Sequence, residues 1–436
     1  MLGGLARPSP RIRATTWKDN RKGALSFTFD DGAAGAFRHG ADCLDQAGLK
    51  GTFYIFSDTT KIYDFPIADS ALVSAYRIRG FEIASHTLNH ANLGTLTGEG
   101  KIDSVRSLLR QSKAELDARY RQNTLSLSIP YGSFRYETLD LIAETFATAR
   151  SSRYGYNLAT PLQMHALKSL PVLSTTSVEA VLAWVRNAEH YGSYLPLMYH
   201  EIAAEAFDPA TAIYTYALPD LQRTIDSVLQ HDLWVDTHEN VYKYIRERNA
   251  LTVETVATED GTLQFMAEDG LPDSVFDVEL TLWIPLPADW GEDSATLVRN
   301  DELVHVAVSE KAGNRWIFCN LPPDGSLISI HDGLYDPTLS APPRIPSTAS
   351  PLLLYPNPVA SGELHFRAFL PSSGPCSIQV FDARGRLAYS SERGSQAAGT
   401  FESQIPTTGL ASGLYTLLVR QGVDVLGTGS FLKIHP

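Results

Sequence analysis

The sequence predicts a multidomain chain: an α/β domain built on a parallel sheet, followed by two smaller β-sandwich domains. Three observations carry this reading. Short apolar runs alternate with helical patterns through residues 20–249. From residue 250 onward the helical period gives way to strand-like alternation. A stretch rich in Pro, Ser and Thr at 336–351 (DPTLSAPPRIPSTASP) reads as a linker between two β segments. The divisions expected are therefore an N-terminal extension (1–19), the α/β domain (20–249), a β module (250–335), the linker (336–351) and a C-terminal β-sandwich (352–436). A chain of 436 residues has room for this many units.

The elements of the first domain follow in order. Ala24–Phe29 (ALSFTF) is an apolar run of strand length, and a helix is expected around Phe37–Ala47. Gly51–Phe56 (GTFYIF) is the next strand and Phe81–Ser85 (FEIAS) the one after, with a helix around Ala68–Ile78 between them. Within Ile102–Tyr120, Val105, Leu108, Leu109 and Leu116 are spaced for one face of an amphipathic helix. Leu125–Ile129 alternates and stops at Pro130; Leu195–Tyr199 and Leu233–Val235 are further strands, with helices at Val178–Asn187 and Leu218–Gln230. Such alternation implies a parallel sheet, either doubly wound or closed into a barrel. In both, function gathers at the C-terminal ends of strands.

Charge narrows the chemistry. The whole chain carries −13, which argues against nucleic acid or an anionic membrane as the main partner. Residues 1–250 hold 26 basic and 27 acidic side chains, residues 251–349 hold 4 and 17, and residues 350–436 hold 6 and 5. The acidity therefore belongs to the middle module. Eight of the twelve histidines lie in the near-neutral first 250 residues, which is where metal or acid–base chemistry is expected. Cys43, Cys319 and Cys376 are far apart and odd in number, so neither a disulfide framework nor a cysteine-ligated zinc site is expected. No apolar run is long enough to span a membrane. Residues 1–17 contain arginines and no apolar core, unlike a secretory signal.

Four strand ends carry polar residues with chemical potential. The first strand ends in Asp30-Asp31-Gly32, two carboxylates that are costly after a buried strand unless paired or metal-bound. The third ends in His86-Thr87-Leu88-Asn89-His90; histidines at i and i+4 share a face if a helix opens here. Two imidazoles and a carboxylate make a common catalytic metal set. Pro130-Tyr131-Gly132 and His200 close two more strands. Each has an ordinary reading alone: an Asp-Gly turn, surface histidines, a proline turn. Together they are hard to reconcile with a purely structural sheet.

SFTFDDG, SHTLNH, IPYGSF and LMYH, in this order, resemble the motifs of the polysaccharide deacetylases of carbohydrate esterase family 4. The resemblance covers residues 20–248. It implies a distorted (β/α) barrel of about seven strands and a divalent metal, most often zinc. It further implies Asp31, His86 and His90 as metal ligands, Asp30 as general base and His200 as general acid. The backbone amide of Tyr131, following Pro130, would help hold the oxyanion. With Asp30 ionised and His200 protonated, a bell-shaped pH profile is implied. The activity implied is removal of N-acetyl groups from a polysaccharide; an O-acetyl esterase using the same site, or a non-catalytic glycan-binding surface module, are the alternatives. One departure stands out: Ser128 occupies a position where many members have the arginine that steadies the base. Arg150 is a candidate substitute. Trp184 could line an acetyl pocket or pack in the core, and His39, His165 and His238 read as structural or surface residues.

In the middle module, Thr262–Met266, Val275–Ile284 and Leu303–Val308 alternate as strands. Trp283, Trp290 and Trp316 could stack on sugars or pack internally. The C-terminal segment contains LYPNP (354–358), a D-x-x-G-R turn at 382–386 and L-x-S-G-x-Y (410–415). These resemble the C-terminal sorting domain of the type IX secretion system. That resemblance implies a β-sandwich, the secretion machinery as a partner, and a secreted or cell-surface location.

Overall fold

A computed structural model describes residues 11–58, 66–259, 261–300, 302–335, 350–360, 362–382, 387–421 and 424–434. The expected linker, except its last two residues, and most of the D-x-x-G-R turn lie outside these. The chain forms two compact units, Met1–Asp293 with Leu297–Ile330 and Ser294–Thr296 with His331–Pro436.

The first unit is built around a parallel barrel. Its strands are β1 (Gly23–Phe29), β2 (Thr52–Ile55), β3 (Glu82–Ser85), β4 (Ser126–Ser128), β5 (Thr148–Tyr154), β6 (Leu167–Pro171), β7 (Tyr194–Tyr199) and β8 (Leu233–Val235). Strands β1 to β7 follow one another around the ring, and β1 closes it by pairing with β7 from Ala24↔Tyr194 to Phe29↔Tyr199. The other edge of β1 is shared. Its first residues, Gly23–Leu25, pair with β8, and Thr28–Phe29 pair with β2. This division of one edge is the distortion. Gly23 permits it, because a Cβ there would lie 2.7 Å from Leu233 Cδ2 and 2.9 Å from the Ala188 carbonyl.

Alternation along each strand separates two environments. Leu25, Phe27, Phe29, Phe53, Ile55, Leu195, Leu197 and Tyr199 join the apolar layer shared with the helices. Phe53 sits at its centre, with ring centroids 4.7 Å from Phe29 and 4.2 Å from Phe37. The intervening residues are polar and meet across the interior. Tyr194 donates to Ser26 Oγ (3.0 Å) and lies 2.9 Å from His238 Nδ1, whose Nε2 is 3.3 Å from Thr148 Oγ1. Burial pushes His238 down to about 3, so it is a neutral, structural histidine. Strands β5 and β6 escaped the sequence reading for this reason: TARSSRY and LKSLP carry polar interior residues and no apolar run.

The remaining expectations differ mainly in extent. The helices run Ser70–Ile78, Ile102–Tyr120, Val178–Tyr191 and Leu218–Val228. In the first expected helix, Ala36–Ala41 is wound as a π-helix and continues into an α-helix at Asp42–Gln46. The segment after β3 opens no helix. Thr87 and His90 take left-handed φ values of 68° and 58°, and a tight turn brings the two histidines together.

After the helix His238–Ala250 the chain becomes antiparallel. Thr252–Glu259 and Thr262–Glu268 pair as a hairpin, and Leu280–Pro285 pairs with Asn314–Leu321. Residues 275–279, expected as strand, are not; they instead join the end of the barrel. Lys243 reaches Asp277 (3.0 Å), and Val278 donates its amide to Glu247 Oε1 (3.2 Å). Arg13–Ala14 adds to the same sheet, opposite Trp283 and Leu282. In the second unit, Leu364, Phe366, Ala368 and Leu370 alternate into a core with Ile378, Val380, Leu417, Val419 and Phe431. A five-stranded and a three-stranded sheet contribute these residues.

No helix among the described residues is long and apolar enough to cross a membrane.

Glu247 makes the first unit sensitive to pH. Burial, reinforced by Asp269, raises its carboxyl to about 8, and its Oε2 has no hydrogen-bond partner. The stability tied to its neutral form is complete below the ordinary glutamate value of 4.5 and is lost as pH rises through 8. Glu247→Gln should leave the denaturation midpoint unchanged at pH 4 and raise stability at pH 9 by about 1–3 kcal/mol. Urea titrations at the two pH values check this.

Candidate active site

The barrel places its polar strand ends at one mouth: Asp30 and Asp31 follow β1, His86 follows β3, Pro130 and Tyr131 follow β4, and His200 follows β7. Inside, Arg150 projects from β5. Asp30 is buried, and its Oδ1 accepts from Arg150 Nη2. Ser128 Oγ accepts from the same nitrogen (2.7 Å) and donates to Asp30 Oδ2 (3.3 Å). Burial alone would raise Asp30, but Arg150, His86 and His200 outweigh it and hold the carboxyl below its ordinary value. Asp30 is therefore ionised at neutral pH.

The register explains the arginine. Ser128 on β4 is the cross-strand partner of Arg150 on β5. Arg150 thus starts one strand over from Ser128, about 4.8 Å laterally, and its guanidinium crosses the interior to the carboxylate. Tyr54 closes it in, with the guanidinium carbon 4.9 Å from its ring centroid. Sequence reasoning named Arg150 but not Tyr54 or the bridging role of Ser128. The matching positions of Ser128 and Arg150 on neighbouring strands were the missing signal, and β5 had not been found.

Asp31 has a different environment. Its Oδ1 lies 3.3 Å from Nε2 of both His86 and His90. The three side chains offer ligand atoms that all lie within 4.8 Å of one another. His86 Nδ1 is 2.8 Å from the Ser128 carbonyl, which can only accept, so in the neutral ring this nitrogen carries the proton and Nε2 offers the lone pair. His90 Nδ1 sits 3.1 Å from the Tyr131 hydroxyl. Asp31 Oδ1 is buried with no hydrogen-bond partner. A carboxylate oxygen facing an imidazole lone pair needs a positive charge between them. Burial lowers His86, yet Asp30 and Asp31 together raise it above its ordinary value, so the pocket favours added positive charge. Burial likewise opposes ionisation of Asp31, but the His86 contact and charge bring it down to about 2. The donor set fits a divalent cation with coordination positions left for other ligands. Asp31, Thr87, His90 and Tyr131 all hold positive φ, from 58° to 68°. Such backbone strain clusters at functional sites.

His200 is buried beside Tyr214 (ring centroids 4.7 Å apart), and its Nδ1 has no hydrogen-bond partner. Burial lowers its pKa despite Asp30 and Asp31. Pro130–Gly132 forms a single tight turn with Tyr131 exposed. Gly132 is required there, since a Cβ would fall 2.0 Å from Ser152 Oγ and its φ is +58°. Trp184, on the helix Val178–Tyr191, packs against the barrel's apolar layer and meets Tyr154 edge-on at 5.9 Å. His165 bonds the Phe146 carbonyl (3.0 Å), away from these residues.

Residues 18–149 match the family model of polysaccharide deacetylase. That match falls on barrel strands β1 to β4 and covers less than a third of the chain. Residues 353–426 match the secretion system C-terminal sorting domain. Among curated proteins, a gellan lyase of Bacillus is 22% identical over 390 residues, 85% of this chain. An Arthroderma benhamiae protein named as a peptidoglycan-N-acetylglucosamine deacetylase is 35% identical over 124 residues, 28% of this chain. The chain covers only 14% and 27% of those two proteins. A solved Mycobacterium smegmatis structure described as a polysaccharide deacetylase aligns with 57% of this chain and 98% of its own, at 16% identity and a TM-score of 0.41.

The Arg150–Asp30 contact has a measurable consequence. Arg150→Met leaves a buried carboxylate uncompensated and should destabilise the protein by about 3–5 kcal/mol. Adding Asp30→Asn should recover most of that loss. Chemical denaturation of the two single variants and the double variant checks the coupling.

Proposed function

We propose that the N-terminal unit is a divalent-metal-dependent hydrolase that removes N-acetyl groups from a polysaccharide containing N-acetylglucosamine, such as a chitin-like glycan or peptidoglycan. The observation that carries this is the contrast between adjacent carboxylates: Asp30 is charge-paired by Arg150, while Asp31 faces two imidazole nitrogens. Asp31, His86 and His90 would hold the cation, with zinc the first candidate. When bound, it would polarise the acetyl carbonyl and lower the pKa of water.

The chain's own residues supply the rest. Asp30, kept ionised, takes the proton of the attacking water, and Arg150 and Ser128 fix its orientation. The Tyr131 amide, in the inverted turn after Pro130, donates to the developing oxyanion. His200 delivers a proton to the departing nitrogen. The named relative from Arthroderma benhamiae supports an amide substrate. One observation favours the ester alternative: among the described residues no carboxylate bonds His200 Nδ1, burial holds its pKa below the ordinary value, and an ester needs less help from an acid than an amide does. The sorting-domain match supports a secreted or surface-attached protein that engages the type IX machinery.

Acetate release by the full chain from chitooligosaccharides, peptidoglycan and acetylated xylan decides the substrate. Release from the N-acetyl substrates is expected, with xylan inactive or slower. Asp30→Asn should lower kcat by about 10²–10⁴-fold with little change in KM. Chelator treatment should abolish turnover and added Zn2+ restore it. Turnover unaffected by Asp30→Asn would contradict the assignment, and xylan-only turnover would select the ester reading.

A further inference from the structure

A second site lies where the end of the barrel meets the antiparallel sheet. A cleft of about 1480 Å³ opens there, lined by Arg11, Arg13, Arg248 and Lys311 together with Trp283 and Trp316. Its charge is opposite to its surroundings. Of the four basic residues in 251–349, Lys311 and Arg315 line the cleft, whereas none of the described acidic residues there does. Arg315 belongs to the wall, bonded to the Trp290 and Glu292 carbonyls. Arg248 likewise belongs to the wall, bonded to the Thr16 and Ala159 carbonyls, whereas among the described residues Arg11, Arg13 and Lys311 are in no ion pair, although acidic side chains are abundant in the same module.

The geometry arranges these cations around aromatic faces. Arg13 is the cross-strand partner of Trp283, and its guanidinium lies 4.4 Å from that ring's centroid. Trp316 stands 6.3 Å from Trp283, centroid to centroid, and its buried indole N–H has no acceptor. Lys311 and Asn314 flank a two-residue turn, Ala312-Gly313, with φ of 52° and 75°, which holds the lysine at the exposed tip.

We propose that this cleft binds a polysaccharide bearing scattered carboxylates, that is, a uronate-containing glycan, at a site separate from the barrel mouth. The half-buried indoles of Trp283 and Trp316 suit a pyranose ring. The separated cations suit carboxylates spaced along a sugar chain. Nucleic acid fits less well. Its dense phosphates favour an extended basic surface, and the module as a whole carries −13. The inference does not depend on catalysis, because it concerns binding alone.

The test titrates the full chain with oligogalacturonate, its methyl-esterified form, chitooligosaccharides and single-stranded oligo-dT, read by tryptophan fluorescence and calorimetry. Saturable binding of oligogalacturonate, weakened by salt and at least tenfold weaker for the methyl ester, is expected. Arg13→Gln with Lys311→Ala should weaken it at least tenfold while leaving the melting temperature and acetate release from short substrates unchanged; both side chains are exposed. Trp316→Phe provides a second variant and should also weaken binding. Equal affinity for acid and ester, tighter binding of oligo-dT, or affinity insensitive to these variants would overturn the proposal.

Discussion

Two carboxylates end one barrel strand, and the protein neutralises only one of them. Asp30 receives the Arg150 guanidinium inside the barrel. Asp31 points instead at Nε2 of His86 and of His90, with its Oδ1 3.3 Å from each. Its ionised form leans on imidazoles, which are cationic only when protonated. A divalent cation among the three side chains would supply that positive charge without a proton. The same asymmetry suits the two aspartates to the different roles proposed for them, base for Asp30 and metal ligand for Asp31.

The barrel is constructed to support this pair. Its outer face is apolar and packs against helices, while its interior is filled by hydroxyls, Tyr54, Tyr194, His238 and Arg150 rather than by the branched aliphatic layers common in larger barrels. A polar interior can hold an arginine against the floor of the site. Ser128 ties the two halves together: its hydroxyl bridges Arg150 and Asp30, and its carbonyl sets the His86 tautomer. One residue thus touches both Asp30 and His86.

Most of the site was legible in the sequence because the strand-end motifs are short and local. FDDG, HTLNH, PYG and YH supply Asp30, Asp31, His86, His90, Tyr131 and His200, and the structure gathers them at one mouth. What could not be read depended on register and on distant segments. The strand bearing Arg150 is polar, so hydrophobic patterning passed over it, and without that strand its pairing with Ser128 was invisible. The i, i+4 histidines suggested a helix, but left-handed turns at Thr87 and His90 bring them together. The basic cleft draws on residues 11–13, 248, 283 and 311–316. Segment charge gave no hint of it, because a few cations are hidden in an acidic average.

The central claim is that Asp31, His86 and His90 form a divalent-metal site whose neighbour Asp30 is not a ligand. Calorimetric titration of the metal-stripped full chain with Zn2+ tests it most directly. The account predicts one equivalent bound per chain, lost in Asp31→Ala and His86→Ala and retained in Asp30→Asn. Absence of a stoichiometric site, or binding that survives Asp31→Ala, would contradict it.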